Sequence, residues 1–136
     1  MNKHRNKKES RIIGKQMFSF DSKKEAQRFD QLYLLLKANK IQDLVIQPEF
    51  LLIDTIKHNG ITYPKTKYIA DFKYTQNNQT IVEDVKSDHT ARLSTYRVKI
   101  KIFLSIYGNE LIFKEVNWFL IVGNSHNQNL ITPKRV

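Results

Sequence analysis

The chain has no cysteine. This excludes a disulfide framework and any thiolate zinc site, and makes a reducing compartment, the cytoplasm, the default expectation. No apolar stretch of signal-peptide length follows the charged opening Met1–Ser10, and no run is long enough to span a bilayer, so neither export nor membrane contact is expected. Acidic residues are the scarcer charge: 13 Asp+Glu stand against 23 Lys+Arg, a formal charge of +10. That surplus favours a polyanionic partner, nucleic acid first, although a solvated basic face has the same composition. The four histidines, His4, His58, His89 and His126, show no metal-ligand spacing, so a zinc site is not expected. There is no internal repeat and no low-complexity block.

What is present fits one folded domain. At 136 residues and 40% hydrophobic, the chain can bury one core but not two of ordinary size. Residues 1–16 are polar, basic and non-periodic and read as a flexible arm, either a solubilising tail or a phosphate-contacting segment. Residues 17–124 form the expected domain and 125–136 a polar tail. From Ser22 to about Asn39, Ala26, Phe29, Leu32, Tyr33, Leu35 and Leu36 recur at helical spacing. The β-rich run Leu44–Ile53 is interrupted by Pro48, which indicates an edge position or a bend. Asn59-Gly60 marks a hairpin turn. Two extended runs, 67–75 and 80–86, flank Gln76-Asn77-Asn78-Gln79 as a second hairpin. Leu93, Tyr96, Ile100, Phe103 and Tyr107 form one stripe of a helix between Thr90 and Gly108, and Trp118–Gly123 suits a buried closing strand. The expected order is helix, three strands, helix, strand.

Strand alternation organises the chemistry. In 81–86, Asp84 and Lys86 point the same way and Glu83 the opposite way. In the preceding run, Tyr68, Ala70, Phe72 and Tyr74 share one face and leave Asp71 on the other. If the two runs pair, Asp71 comes to lie beside Asp84 with a lysine in reach. Adjacent carboxylates repel, and a hard divalent cation relieves the repulsion while leaving coordination positions for water and phosphate oxygens; magnesium suits this better than zinc. Metal and ammonium together can supply the activated water and charge neutralisation that phosphodiester hydrolysis needs. A salt-bridge cluster on a solvated sheet face explains the same three residues equally well. Glu25 has two readings. Ser22-Lys-Lys-Glu25 is a capping box; yet Glu25 also lies on the stripe of Phe29, Leu32 and Leu36, at the mouth of the core-facing side.

The ordered set Glu25, Tyr68-Ile-Ala-Asp71-Phe, Val82-Glu-Asp84-Val-Lys86 and a helix with Thr90, Tyr96 and Lys99 resembles the PD-(D/E)XK nuclease superfamily. The likeness is closest to small phage-encoded endonucleases of the DUF1064 type, related to Holliday junction resolvases. It is weaker to the TnsA-type transposase endonucleases, which also place a Gln-Pro pair (here Gln47-Pro48) before the motif. It spans about Phe18 to Gly123. (D/E)-x-K alone is common by chance; the specificity lies in the hairpin, the upstream Asp and the helical Glu arriving in the family's order. Ala70 stands where the superfamily name has Pro, and Glu83 competes with Asp84 as the motif acid if the strand carries a bulge.

The resemblance implies an α/β, restriction-endonuclease-like αβββαβ core, with a mixed central sheet flanked by helices. It implies that Asp71 and Asp84 bind Mg2+ (Mn2+ substituting), with the Val85 carbonyl often joining, that Lys86 is catalytic, and that Glu25 completes the site. It further implies a DNA endonuclease acting on branched DNA such as Holliday junctions in phage recombination, working as a homodimer. Arg92, Arg97, Lys99 and Lys101 stud the second helix, Lys99 being the best placed to contact substrate phosphate, although a solvated face is the ordinary reading of such cations. Two alternatives remain: a TnsA-like or nicking endonuclease acting with a partner protein, and a non-catalytic basic nucleic-acid-binding module.

Overall fold

The computed structural model describes residues 8–86 and 93–117. The chain opens with a hairpin of β1 (Glu9–Ile13) and β2 (Gln16–Phe20), turned at Gly14 with φ +62°. The basic arm expected over residues 1–16 belongs to this hairpin over residues 9–16. Its charge concealed a hairpin tied down by side chains: Arg11 forks onto Asp30 of the following helix at 2.8 and 3.0 Å, and Phe18 and Phe20 stack near Phe29 with centroids 5.5 and 5.0 Å apart.

Helix α1 (Lys23–Lys37) begins where the capping signal put it. Ser22 is its N-cap, with Oγ accepting the Glu25 amide at 3.2 Å. Ala26, Phe29 and Leu32 are buried, as their spacing requires. The β-rich run then divides at Gln47-Pro48 into β3 (Gln42–Ile46) and β4 (Glu49–Ile53). Pro48 has no amide to continue the ladder, and Gln47 takes φ 53°, a left-handed conformation.

Strands β5 (Ile56–His58) and β6 (Ile61–Tyr63) form the hairpin signalled by Asn59-Gly60, whose φ values of 50° and 73° suit a two-residue primed turn. Residues 53–65 are all exposed, so this ribbon lies outside the core. The run expected over 67–75 is broken at Ala70-Asp71 into β7 (Thr66–Ile69), which pairs with β4, and β8 (Phe72–Gln76), which pairs with β3. Both neighbouring runs thus change partner at one corner, and two backbone bonds close it: Gln47 N–H to Asp71 O at 2.9 Å and Ala70 N–H to Pro48 O at 3.1 Å.

The Asn77-Asn78 turn, at φ 51° and 63°, leads into β9 (Gln79–Lys86). Helix α2 (Ser94–Tyr107) follows, then β10 (Ile112–Asn117). Thr90, Arg92 and the expected strand 118–123 fall outside the described residues; the strand observed to close the sheet is β10, which the sequence reading missed.

The central sheet runs β10-β9-β8-β3, with β10 parallel to β9 and the remaining pairs antiparallel. The protein is therefore mixed α/β, with a mixed central sheet and helices on both faces, richer in strand than the expected order of elements. On one face Phe72, Tyr74, Ile81, Val85 and Val116 pack against α1; on the other Tyr68, Val82 and Phe113 pack against Ile100 and Phe103 of α2. Phe72 and Phe103 are wholly buried, each contributing about 1.5–3 kcal/mol by removal from water. No helix among the described residues is long and apolar enough to cross a membrane.

Candidate functional site

Helices α1 and α2 cover the two faces of β9, so residues 81–85 are buried whichever way they point, and the strand's alternation sorts two acids to opposite sides. Ile81, Glu83 and Val85 face α1; Val82, Asp84 and Lys86 face α2. Asp84 is 1% exposed. Its Oδ2 accepts the Tyr68 hydroxyl. Its Oδ1 lies 3.2 Å from Lys86 Nζ, an ion pair, but receives no hydrogen bond of acceptable geometry among the described residues. The Lys86 ammonium also sits over the Tyr96 ring, 4.9 Å from its centroid.

Asp71 stands at the strand corner. Its amide donates to Glu83 O at 3.1 Å, and its Oδ2 accepts the Val85 amide at 2.7 Å. Val85 thus meets Asp71 through its N–H. Burial pushes the Asp71 carboxyl well above the ordinary aspartate range; the Asp84 charge, a hydrogen bond shared with Asp84 and the Glu25 charge add to this, while the Val85 amide opposes it. Asp71, Asp84 and Lys86 therefore gather on one side of the sheet.

Glu25, at the first turn of α1, is partly buried. Its carboxyl is raised chiefly by burial, then by Asp21; an Asp21 backbone hydrogen bond and the Lys86 charge oppose this, and the Asp84 charge raises it further. The Glu25 amide is thus held by the Ser22 cap, and its carboxylate lies within electrostatic reach of the pair. Among the described residues no three acidic or histidine side chains are close enough together to share an ion, so the compact element is the Asp71–Asp84 pair. The donors fit a hard cation: two carboxylates, one with a buried oxygen that has no hydrogen-bond donor of acceptable geometry among the described residues, leave room for the waters that magnesium retains.

Glu83 is turned to the opposite face of the sheet from Asp84. It is fully buried on the α1 face, where Arg28 forks onto it at 2.6 and 2.9 Å and the Tyr74 hydroxyl donates at 2.6 Å. On α2, Arg97 and Lys101 are exposed and Lys99 is partly buried; Arg92 lies outside the described residues. Tyr68 and Tyr74 are buried and Tyr96 packs against the α2-side core, yet each places its ring or hydroxyl beside a charged group of β9, a relation set by tertiary packing. Arg28 carried no signal beyond being a cation one helical step from the buried position Phe29.

The protein is thus of the mixed α/β class, with a buried Asp84 and a partly buried Asp71 side by side at a strand corner. The family model described as "Protein of unknown function (DUF1064)" matches residues 1–122, and the chain belongs to that family. No curated protein matches. A solved structure titled "Crystal structure of SSO0001" is similar at 19% identity and TM-score 0.36, over 68% of this chain. The chain spans 43% of that protein's length.

Proposed function

We propose that this protein is a metal-dependent DNA endonuclease of restriction-endonuclease-like architecture, with Asp71 and Asp84 as metal ligands and Lys86 as the catalytic cation. The observation that carries this reading is the buried Asp84 Oδ1, with no hydrogen-bond donor of acceptable geometry among the described residues, beside an Asp71 carboxyl pushed upward first by burial and then by the Asp84 charge. Two acids so placed are poorly satisfied by protons alone and well satisfied by Mg2+ or Mn2+. A bound divalent cation would supply Lewis-acid activation of water and charge neutralisation at the phosphate.

The chain's own residues supply the rest. Asp84 holds the Lys86 ammonium, and Tyr96 lies beneath that ammonium, so its charge is fixed beside the acids and can neutralise a scissile phosphodiester as negative charge develops. The water oxygen forms the new bond to phosphorus, the bond to the leaving sugar oxygen breaks, and that oxygen takes a proton. Glu25 acts electrostatically on Asp71 and feels the charges of Asp84 and Lys86, a placement suited to orienting a water bound by the cation. The α2 cations Arg97, Lys99 and Lys101 suit phosphate contacts, and branched DNA cut by a homodimer is the substrate and assembly that the family likeness suggests.

The test is a panel of linear, nicked, flap and four-way junction DNAs, incubated with Mg2+, with Mn2+ and with chelator. Cleavage of the junction that requires the metal is the expected outcome; no cleavage of any substrate with either metal refutes the reading. One observation favours a non-catalytic basic module instead: Lys86 already neutralises Asp84 as an ion pair. That reading expects DNA binding without cleavage.

A further inference from the structure

We propose that the buried Arg28–Glu83 pair is a positioning device that sets where the Glu25 carboxylate stands relative to Asp71 and Asp84; this deepens the nuclease reading and rests on it.

Glu83 joins three parts of the site. Its side chain is gripped from α1 by Arg28, its carbonyl accepts the Asp71 amide at 3.1 Å, and it is covalently adjacent to Asp84. Arg28 lies three residues after Glu25 on α1, about 4.5 Å along the axis and on a neighbouring strip of the helix surface. The fork fixes both distance and orientation, because two parallel N–H bonds hold a planar guanidinium against a planar carboxylate. Its outer contacts fix it further: Arg28 Nη1 donates to Gln31 Oε1 at 2.8 Å, and Tyr74 holds Glu83 Oε1.

Stability does not account for the pair. Arg28 is 5% exposed and Glu83 is fully buried, and removing two charges from water costs about as much as their attraction returns, so well-packed apolar replacements are often neutral or stabilising. Arg11 ties α1 to the β1–β2 hairpin through Asp30, while the apolar contacts of α1 with the sheet run through Ala26, Phe29 and Leu32. Such contacts set the depth of packing but tolerate small slides and rolls. A bidentate ion pair does not tolerate them, and a slide of α1 carries Glu25 with it.

The test is a double-mutant cycle read by Mn2+ affinity in calorimetry, with thermal unfolding alongside. In the native background, Glu25→Gln weakens Mn2+ binding about tenfold or more, the scale on which residues around a metal tune its affinity. Arg28→Met combined with Glu83→Leu removes the fork at similar volume. That protein is expected to unfold cooperatively, to bind Mn2+ as weakly as Glu25→Gln alone, and to lose less than about twofold more on adding Glu25→Gln. Should the pair fail to fold, Arg28→Lys keeps the charge, abolishes the fork and is read in the same way. An equal Glu25→Gln penalty in both backgrounds, or none in the native one, overturns the positioning role while leaving the nuclease reading intact. A native protein that takes up no Mn2+ fails the nuclease reading, and the positioning role with it.

Discussion

Asp84 Oδ1 faces the Lys86 ammonium at 3.2 Å across one pleat of β9, while the Tyr68 hydroxyl occupies the other oxygen of the same carboxylate. Each partner can be removed separately, and each removal reports on a different property of the site.

Lys86→Met removes the only cation whose ion pair with Asp84 is seen among the described residues, leaving a carboxylate 1% exposed without a counter-charge. Cleavage is expected to fall by at least about a hundredfold, the scale of losing one electrostatic stabiliser of a transition state. The melting temperature falls in chelator and recovers with Mg2+. Rate assays and thermal melts with and without metal check both halves.

Tyr68→Phe deletes the hydroxyl donor to Asp84 and nothing else of the ring, which packs against Phe103 with centroids 4.9 Å apart. Loss of a hydrogen bond to a charged buried group costs about 1.5–3 kcal/mol, measurable by urea unfolding. Tyr96→Phe keeps the ring beneath Lys86 and is expected to preserve cleavage, whereas Tyr96→Leu is not.

The pH dependence of the metal-free protein follows from Asp71. Its folded carboxyl titrates above the ordinary value of 3.8, so the folded state binds more protons than the unfolded chain over the interval between the two. The contribution of Asp71 to stability is therefore full below that value and is lost as pH rises through the folded titration. Asp71→Asn keeps an acceptor for the Val85 amide, flattens this decline and raises the melting temperature at neutral pH in chelator. Urea titrations across pH test it; an unchanged slope contradicts it.

The exposed ribbon separates structural from surface positions. Ile61 is 55% exposed and Ile56 53% exposed, so changing either to Lys shifts stability by no more than about 0.5 kcal/mol. Phe103→Ala, at a fully buried site touching Phe50, Tyr68 and Phe113, costs about 3–5 kcal/mol.

Helix α1, the two Asn turns and the bend at Pro48 were legible in the sequence because each rests on local physics: a cap, a left-handed turn, a missing amide. The shared side of Asp84 and Lys86 was legible from strand alternation. Asp71 reaches the same place by a less regular route, through a strand break that spacing did not reveal. Strand β10 was missed because Lys114 and Glu115 interrupt its apolar run. Both polar residues have buried company supplied by distant elements: Lys114 lies in the field of Glu83 and Arg28, and Glu115 acts on Tyr96. The β1–β2 hairpin was hidden in the same way, since Arg11 reads as solvated charge until Asp30 of α1 is brought beside it. Polar partners distant in sequence leave no periodic trace.

A nuclease of the proposed kind requires Asp71 and Asp84 together to hold a divalent cation. Calorimetric titration of Mg2+ into the native protein, Asp71→Asn and Asp84→Asn tests it most directly. Saturable binding to the native chain that disappears in both variants, with each variant still folded, is the predicted result. Binding of equal strength in all three proteins, or none in the native one, contradicts it.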